Sequence, residues 1–126
     1  MPEQQQDLRT FGEVLKSHRK TRKVSARLLK MVAENGRKIH IGAIETNKVA
    51  PPVANDIIAM ARVLDLTDSD TQALLCKAVE NQRVIKVAVT QNDSQDKVNL
   101  LMNFIQKWNR LGDEQAKELN QLISKY

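Results

Sequence analysis

Apolar residues recur at helical spacing along most of the chain, with short polar breaks between the apolar segments. In the first third, this pattern predicts a helix capped by Asp7, a short helix opened by Ser25 and a third helix over residues 37–46. The dipeptide Asn35-Gly36 precedes the third helix, and both of its residues tolerate positive φ. The first third is therefore predicted to contain two short helices joined by a tight turn.

Prolines and hydroxyl side chains mark the next two helices. Proline is favoured in the first turn of a helix, so Pro52 is predicted to start a fourth helix, and Pro51 forces an extended approach to it. A fifth helix is predicted after a cap at Thr67 or Ser69.

The last third of the chain begins with an ambiguous segment. β-Branched residues dominate residues 83–89, so a short strand or an extended arm competes there with helix. Beyond it, Ser94 or Asp96 is predicted to cap a long helix that Gly112 ends. Residues 114–126 are predicted to form a final helix, and the last two helices together are predicted to form an αα-hairpin.

These elements predict an all-α protein with two parts. The first part, residues 7–82, contains five helices, and the second, residues 83–126, is an arm followed by a helical hairpin. Aromatic residues make up only 3% of the chain, which argues against the packed core of a β-sandwich or barrel.

Positive charge is concentrated at the start of the chain. The 126 residues carry a formal net charge of +5. Residues 1–48 hold 11 Lys and Arg against 5 acidic residues, whereas residues 49–126 hold 9 against 10. A solvated charged face is one interpretation, but a localised positive field on a folded unit favours a polyanion, usually DNA or RNA. The few aromatic residues offer no stacking platform for RNA bases.

The sequence contains no catalytic, cofactor-binding or metal-binding motif. His18 and His40 lack triad spacing, and Cys76 lies on an apolar helix, where a buried structural thiol is expected. We therefore expect no enzyme, no cofactor and no metal. No apolar run approaches the roughly 18 residues of a membrane span, so we expect no membrane partner. With a polyanion as the favoured partner, we expect a cytoplasmic, nucleoid-associated protein.

The charge and the helices of the first third fit one arrangement. Two short helices joined by a tight turn, the second beginning with basic residues, are typical of a helix-turn-helix. The second helix of this motif fits the major groove of double-stranded DNA, and its N-terminal side chains reach base edges. Residues 7–82 are therefore predicted to be a DNA-binding domain.

Over about residues 8–80, the sequence resembles the lambda-repressor-like, XRE-type DNA-binding domains of bacteria and phages. The resemblance rests on an ordered set of motifs: Phe11-Gly12-Glu13-Val14-Leu15-Lys16 with Arg19, Ser25, Ile41-Gly42-Ala43-Ile44-Glu45 with Asn47-Lys48, Pro51-Pro52, and Ile57-Ile58-Ala59-Met60-Ala61-Arg62-Val63-Leu64. It implies a five-helix fold that binds double-stranded DNA.

The resemblance also implies which residues read bases. These are Lys38, His40 and Ala43. Lys38 is suited to guanine, and Ala43 to the methyl group of thymine. A turn one residue longer than is usual in the family leaves Arg37 or Ile39 as the alternative base contact, although core packing is favoured for Ile39.

For other positions, the resemblance implies contacts with DNA phosphates or a structural role within the domain. The implied phosphate contacts are Ser25, Arg27, Arg37, Asn47 and Lys48. Arg19 and Glu45 correspond to positions that form a structural ion pair between helices in this family.

The predicted C-terminal hairpin carries two apolar stripes that cannot cover each other fully. We expect them to pack on a second copy of the chain, because a repressor that reads a two-fold operator binds two half-sites as a dimer. The residues predicted to dimerise are Leu101, Ile105, Trp108, Leu119 and Ile123.

The leading functional prediction is a dimeric, sequence-specific transcriptional repressor. One alternative is the antitoxin of a toxin–antitoxin pair, in which the same domain binds DNA and the C-terminal segment binds a toxin protein. A second alternative is a protein-interaction adaptor that has lost DNA readout.

Overall fold

The structure, a computed structural model, describes residues 8–31, 39–80 and 83–126. Across these ranges the chain forms seven α-helices and no β-strand, so the prediction of an all-α protein is confirmed for them. The helices are α1 (Phe11–Thr21), α2 (Ala26–Lys30), α3 (Ile41–Glu45), α4 (Ala54–Val63), α5 (Asp68–Glu80), α6 (Gln95–Lys107) and α7 (Asp113–Ile123). A single 3-10 turn, Trp108–Arg110, follows α6.

The chain divides into two compact units, Met1–Ala88 and Val89–Tyr126, which are called the N-terminal and C-terminal units below. The sequence pattern predicted a boundary after residue 82, with residues 83–88 in the second part. The structure places them in the first. The cause is a backbone hydrogen bond of 2.7 Å from the Ala54 N–H to the Lys86 carbonyl, together with contacts described below.

The N-terminal unit is built around one apolar core. Six buried hydrophobic side chains are 0–1% exposed, and each contributes about 1.5–3 kcal/mol by leaving water. They come from α1, α2, α4 and α5 and from the residue after α4: Leu15, Leu29, Ile57, Met60, Leu64 and Leu74. The amphipathic spacing of the helices therefore produces one shared interior.

The first helix starts later than the sequence predicted. Thr10 is the N-cap of α1, and its hydroxyl oxygen accepts a hydrogen bond from the Glu13 N–H at 3.2 Å. Asp7, the predicted cap, lies outside the described residues. Thr10 suits this position because a hydroxyl oxygen satisfies an N–H that has no partner within the helix.

The fourth helix also starts later than predicted. Val53 is the N-cap of α4, with an extended ψ of 155°, so helical geometry begins only at Ala54. Pro51 and Pro52 lie in the approach to the helix and not in its first turn, because the residue before a proline is restricted to extended conformations.

The structure decides between the paired candidates for two other caps. The Thr67 hydroxyl oxygen accepts from the Asp70 N–H at 3.0 Å and caps α5. The Ser94 hydroxyl oxygen accepts from the Lys97 N–H at 3.2 Å and caps α6. On α5, however, Cys76 is exposed and not buried as expected, because it lies on the side of the helix opposite Leu74 and Ala78.

No side chain of the C-terminal unit is buried. Its apolar groups instead line an open groove of about 430 Å³ between α6 and α7, and the rings of Phe104 and Trp108 contact each other with centroids 5.6 Å apart. None of the helices in the described ranges combines the length and apolarity needed to cross a bilayer.

Candidate nucleic-acid interface

The helix predicted to read DNA is shorter than the sequence indicated. It was expected over residues 37–46, whereas α3 spans Ile41–Glu45 and His40 is its N-cap. His40 is exposed and makes no side-chain capping bond. Arg37 and Lys38, predicted to contact phosphate and base, lie outside the described residues.

α3 has one buried face and one exposed face. Ile41, Ile44 and Glu45 are buried, and α3 packs against both α1 and α2. Gly42 is exposed, and Ala43 beside it is half-buried. The outward face of α3 therefore consists of small residues, which allow a close approach by a large partner. Ile39, just before the helix, is 4% exposed and packs in the core, the placement favoured from the sequence.

Gly42 offers a direct test of that exposed face. A Cβ atom added there would meet no atom within 4 Å. Because alanine has a higher helix propensity than glycine, Gly42→Ala should raise the free energy of unfolding by up to about 1 kcal/mol, as measured by urea denaturation. A loss of stability would show that this position is strained in a way that the structure does not display.

The end of α3 forms a Schellman motif. Asn47 has a φ of 62°, and its N–H donates to the Ile44 carbonyl at 3.1 Å, while the Lys48 N–H donates to the Ala43 carbonyl at 2.8 Å. Asparagine tolerates this left-handed conformation better than most residues. The motif fixes the direction in which the chain leaves α3, and both Asn47 and Lys48, predicted phosphate contacts, are exposed there.

An ion pair fastens α3 to α1. Arg19 donates two hydrogen bonds to the Glu45 carboxylate, at 2.6 and 2.9 Å, and a third to the Val24 carbonyl at 3.2 Å. The hydrogen bond to Glu45 raises the pKa of Arg19 above its ordinary value. With side-chain exposures of 16% and 5%, the two residues form a mostly buried, bidentate pair that holds the orientation of α3.

The other predicted phosphate contacts lie on α2. Ser25 is its N-cap, with a hydroxyl oxygen that accepts from the Leu28 N–H at 3.1 Å, and both Ser25 and Arg27 are exposed. Seven basic residues on or beside α1, α2 and α3 are exposed among the described residues of the first 48 positions. They are Arg9, Lys16, Lys20, Lys23, Arg27, Lys30 and Lys48.

His18 adds less to this positive charge than an unperturbed histidine would. Burial lowers its pKa, and the neighbouring Arg22, whose Nη1 lies 3.2 Å from the His18 Nδ1, lowers it further. Both effects disfavour the charged imidazolium.

Two features of the site were not predicted from the sequence. A Cβ on Gly12 of α1 would lie 2.1 Å from the Ile44 carbonyl oxygen, so α1 and α3 approach at this glycine more closely than any other residue allows. Thr46 is exposed at the end of α3, and its hydroxyl donates to the Gly42 carbonyl at 2.9 Å. The signal for Gly12 was present, since a glycine within a helical pattern indicates a close approach.

The residues predicted to dimerise are all accessible. Leu101 is half-buried, and Leu119 is 38% exposed. Ile105, Trp108 and Ile123 are 57–62% exposed. Within its own unit, each of these side chains therefore keeps apolar surface that a partner could cover.

Comparison of the chain with family models, with curated proteins and with solved structures finds no match. The resemblance to lambda-repressor-like domains therefore stays a prediction from the sequence motifs.

Proposed function

We propose that this protein is a sequence-specific DNA-binding transcriptional regulator of the lambda-repressor-like type, acting as a dimeric repressor. The observation that carries the proposal is the way α3 is held against the rest of the N-terminal unit. Its inner face is fixed by the core and by the Arg19–Glu45 pair, and its outer face presents Gly42 and Ala43 to solvent. The order of α1 to α5 supports the five-helix arrangement implied by the sequence motifs.

The surrounding charge supports a nucleic acid as the partner. Exposed Lys and Arg side chains lie on α1 and α2, the two helices that contact α3, and Lys48 follows the end of α3. Cations placed this way neutralise phosphates and release counterions, which gives affinity that falls steeply with salt. The major groove then receives α3, where Ala43 is suited to a thymine methyl.

Two lysine substitutions test this proposal. Lys48→Ala should weaken binding to all DNA sequences and reduce the salt slope by about one unit, because one phosphate contact is lost. Lys38→Ala, chosen from the sequence, should lower operator affinity by about 1–3 kcal/mol and relax the preference at one base pair.

The measurement is titration of operator and random duplexes at several salt concentrations, with the operator first selected from bound genomic fragments. Identical behaviour of both variants would contradict the assigned roles. Failure of the unaltered protein to retain any duplex at low salt would remove DNA binding altogether and leave the adaptor alternative.

The dimer is proposed from the C-terminal unit. Its apolar side chains, none of them buried, include Trp108 at 62% exposure. A contiguous apolar surface of this kind marks an interaction site in a protein that stays in solution.

Trp108→Ala and Leu101→Asp should shift the chain toward monomer and weaken operator binding more than non-specific binding. Sedimentation velocity measures the shift, with Glu118→Ala as a control on the same unit. A monomeric intact protein at tens of micromolar would contradict the dimer.

The same exposed surface favours one second candidate, an antitoxin. In that case the groove between α6 and α7 would receive a toxin protein and not a second copy. A small gene for a toxin immediately beside this one, together with a stoichiometric complex of the two products, would support this candidate.

A further inference from the structure

The segment after α5 has the hydrogen-bonding pattern of a β-strand with one free edge. Residues 84–88, called the arm below, form neither helix nor turn. The Ala88 N–H donates to the Asn55 Oδ1 at 2.8 Å, and the Asn55 Nδ2 donates to the Ala88 carbonyl at 3.0 Å. The side-chain amide of Asn55 thus occupies the place of a backbone amide in a neighbouring strand.

Lys86 makes the second contact on the same side. Its carbonyl accepts a hydrogen bond from the Ala54 N–H at 2.7 Å. Lys86 and Ala88, two residues apart, therefore both direct backbone groups toward α4, as alternate residues do along one edge of a strand. In a strand, the residues that alternate with these two direct their N–H and C=O groups to the opposite edge, which assigns Ile85 and Val87 to it. Among the described residues, those groups have no hydrogen-bond partner.

The free edge is also apolar and accessible. Ile85, Val87 and Val89, which alternate along that edge, are 44–52% exposed. β-Branched side chains stabilise strands mainly through cross-strand contacts, and no strand among residues 8–31, 39–80 and 83–126 offers them to the arm. An accessible strand edge of this composition is a template for pairing with another strand.

We propose that the arm pairs in antiparallel fashion with the arm of a second copy, with Val87 on the two-fold axis. The inference rests on the dimer part of the proposed function but not on DNA binding. The two Val87 residues exchange both N–H···O hydrogen bonds, and Ile85 of each copy lies opposite Val89 of the other.

The register follows from the limits of the segment and from its charge. Arg83, with a φ of 56°, precedes the stretch without helix or turn, and a turn begins at residue 91, so residues 84–90 are available and Val87 is their midpoint. A two-fold axis at Lys86 would place two ammonium groups directly opposite each other, which is unfavourable. With the axis at Val87, Lys86 lies opposite Ala88 of the other copy.

Two substitutions at Val87 distinguish the contribution of the backbone N–H to dimerisation from that of the side chain. Val87→Pro removes an N–H that has no partner among the described residues, and Val87→Ala removes the side chain but keeps that N–H. In the 126-residue chain, Val87→Pro should raise the dissociation constant of the dimer at least tenfold above that of Val87→Ala in sedimentation equilibrium. Circular dichroism should show unchanged helix content in both. Equal dissociation constants would overturn strand pairing.

Disulfide trapping tests the register itself. In a Cys76→Ser background, Val87→Cys places two thiols on the axis, where opposed Cα atoms are about 5.5 Å apart and within the range of a disulfide. Lys86→Cys places them about 8 Å apart, beyond that range. Oxidation by a mild external oxidant, oxidised glutathione, removes two protons and two electrons from the thiol pair. A cross-linked dimer should form with Val87→Cys and not with Lys86→Cys.

The outcomes distinguish this inference from the proposed function. Absence of a cross-linked dimer with Val87→Cys, or equal yields at both positions, would overturn the arm pairing even if operator binding persists. A register-specific cross-link in a protein that does not bind duplex DNA would support the arm pairing and overturn the regulator.

Discussion

Replacing Gly12 with alanine is expected to lower the free energy of unfolding of the N-terminal unit by about 3 kcal/mol. The new methyl carbon would lie 2.1 Å from the Ile44 carbonyl oxygen and 2.8 Å from that of Glu45. Those atoms belong to the backbone of α3, so they cannot move aside as a flexible side chain would, and α1 and α3 must separate. Overpacking of a rigid site costs about 1–3 kcal/mol, and here we expect the upper end.

Gly42→Ala is the matched control, because Gly12 and Gly42 each occupy the second position of a helix. Any general effect of alanine on helix stability is therefore similar in both variants, and the difference between them measures the close approach. Urea denaturation followed by circular dichroism at 222 nm supplies both values. A Gly12→Ala protein as stable as the Gly42→Ala protein would show that α1 and α3 do not approach as closely as described.

Arg19→Ala is expected to destabilise the N-terminal unit by a similar amount, about 3 kcal/mol. The substitution leaves the Glu45 carboxylate, 5% exposed, without the two hydrogen bonds that now satisfy it. An unpaired charge in such a place carries its full desolvation cost, which in buried pairs amounts to about 3–5 kcal/mol. The Val24 carbonyl also loses a donor.

Lys20→Ala is the control for charge, because Lys20 is the next residue on α1 and is exposed. It should change the free energy of unfolding by less than about 0.5 kcal/mol. The double variant Arg19→Ala with Glu45→Gln should recover part of the lost stability, since the uncompensated negative charge is then absent. If Arg19→Ala behaves like Lys20→Ala in urea denaturation, the pair is not structural.

Helix order and core were predictable because they depend on local spacing. The apolar positions of α1, α4 and α5 repeat at the helical period, and the residues they mark, such as Leu15, Ile57 and Leu74, are fully buried. Asn47 was assigned the left-handed position after α3 from residue type alone, and its φ of 62° agrees. Such features need no knowledge of which distant segments meet.

Other features were not predictable, because neither residue type nor periodicity determines them. Thr10 and Asp7 are both good capping residues, and periodicity does not choose between them. Residues 83–89 were ambiguous because their conformation depends on Asn55, about 30 positions earlier, through the hydrogen bonds to Ala88. The exposed side of α5 at Cys76 could have been found, since the position is two residues from Leu74 and therefore faces the opposite side.

The amide of Asn55 also decides how much of the segment after α5 can move independently of the N-terminal unit. With Ala88 held against α4 by two hydrogen bonds, residues 83–88 belong to that unit, whereas a loose segment would leave them as free chain. Fixing the backbone of one residue costs about 1–2 kcal/mol of conformational entropy, so a strand that pairs with the arm meets a segment whose ordering cost was met during folding. Asn55 thereby favours binding through preorganisation, from a position outside the arm itself.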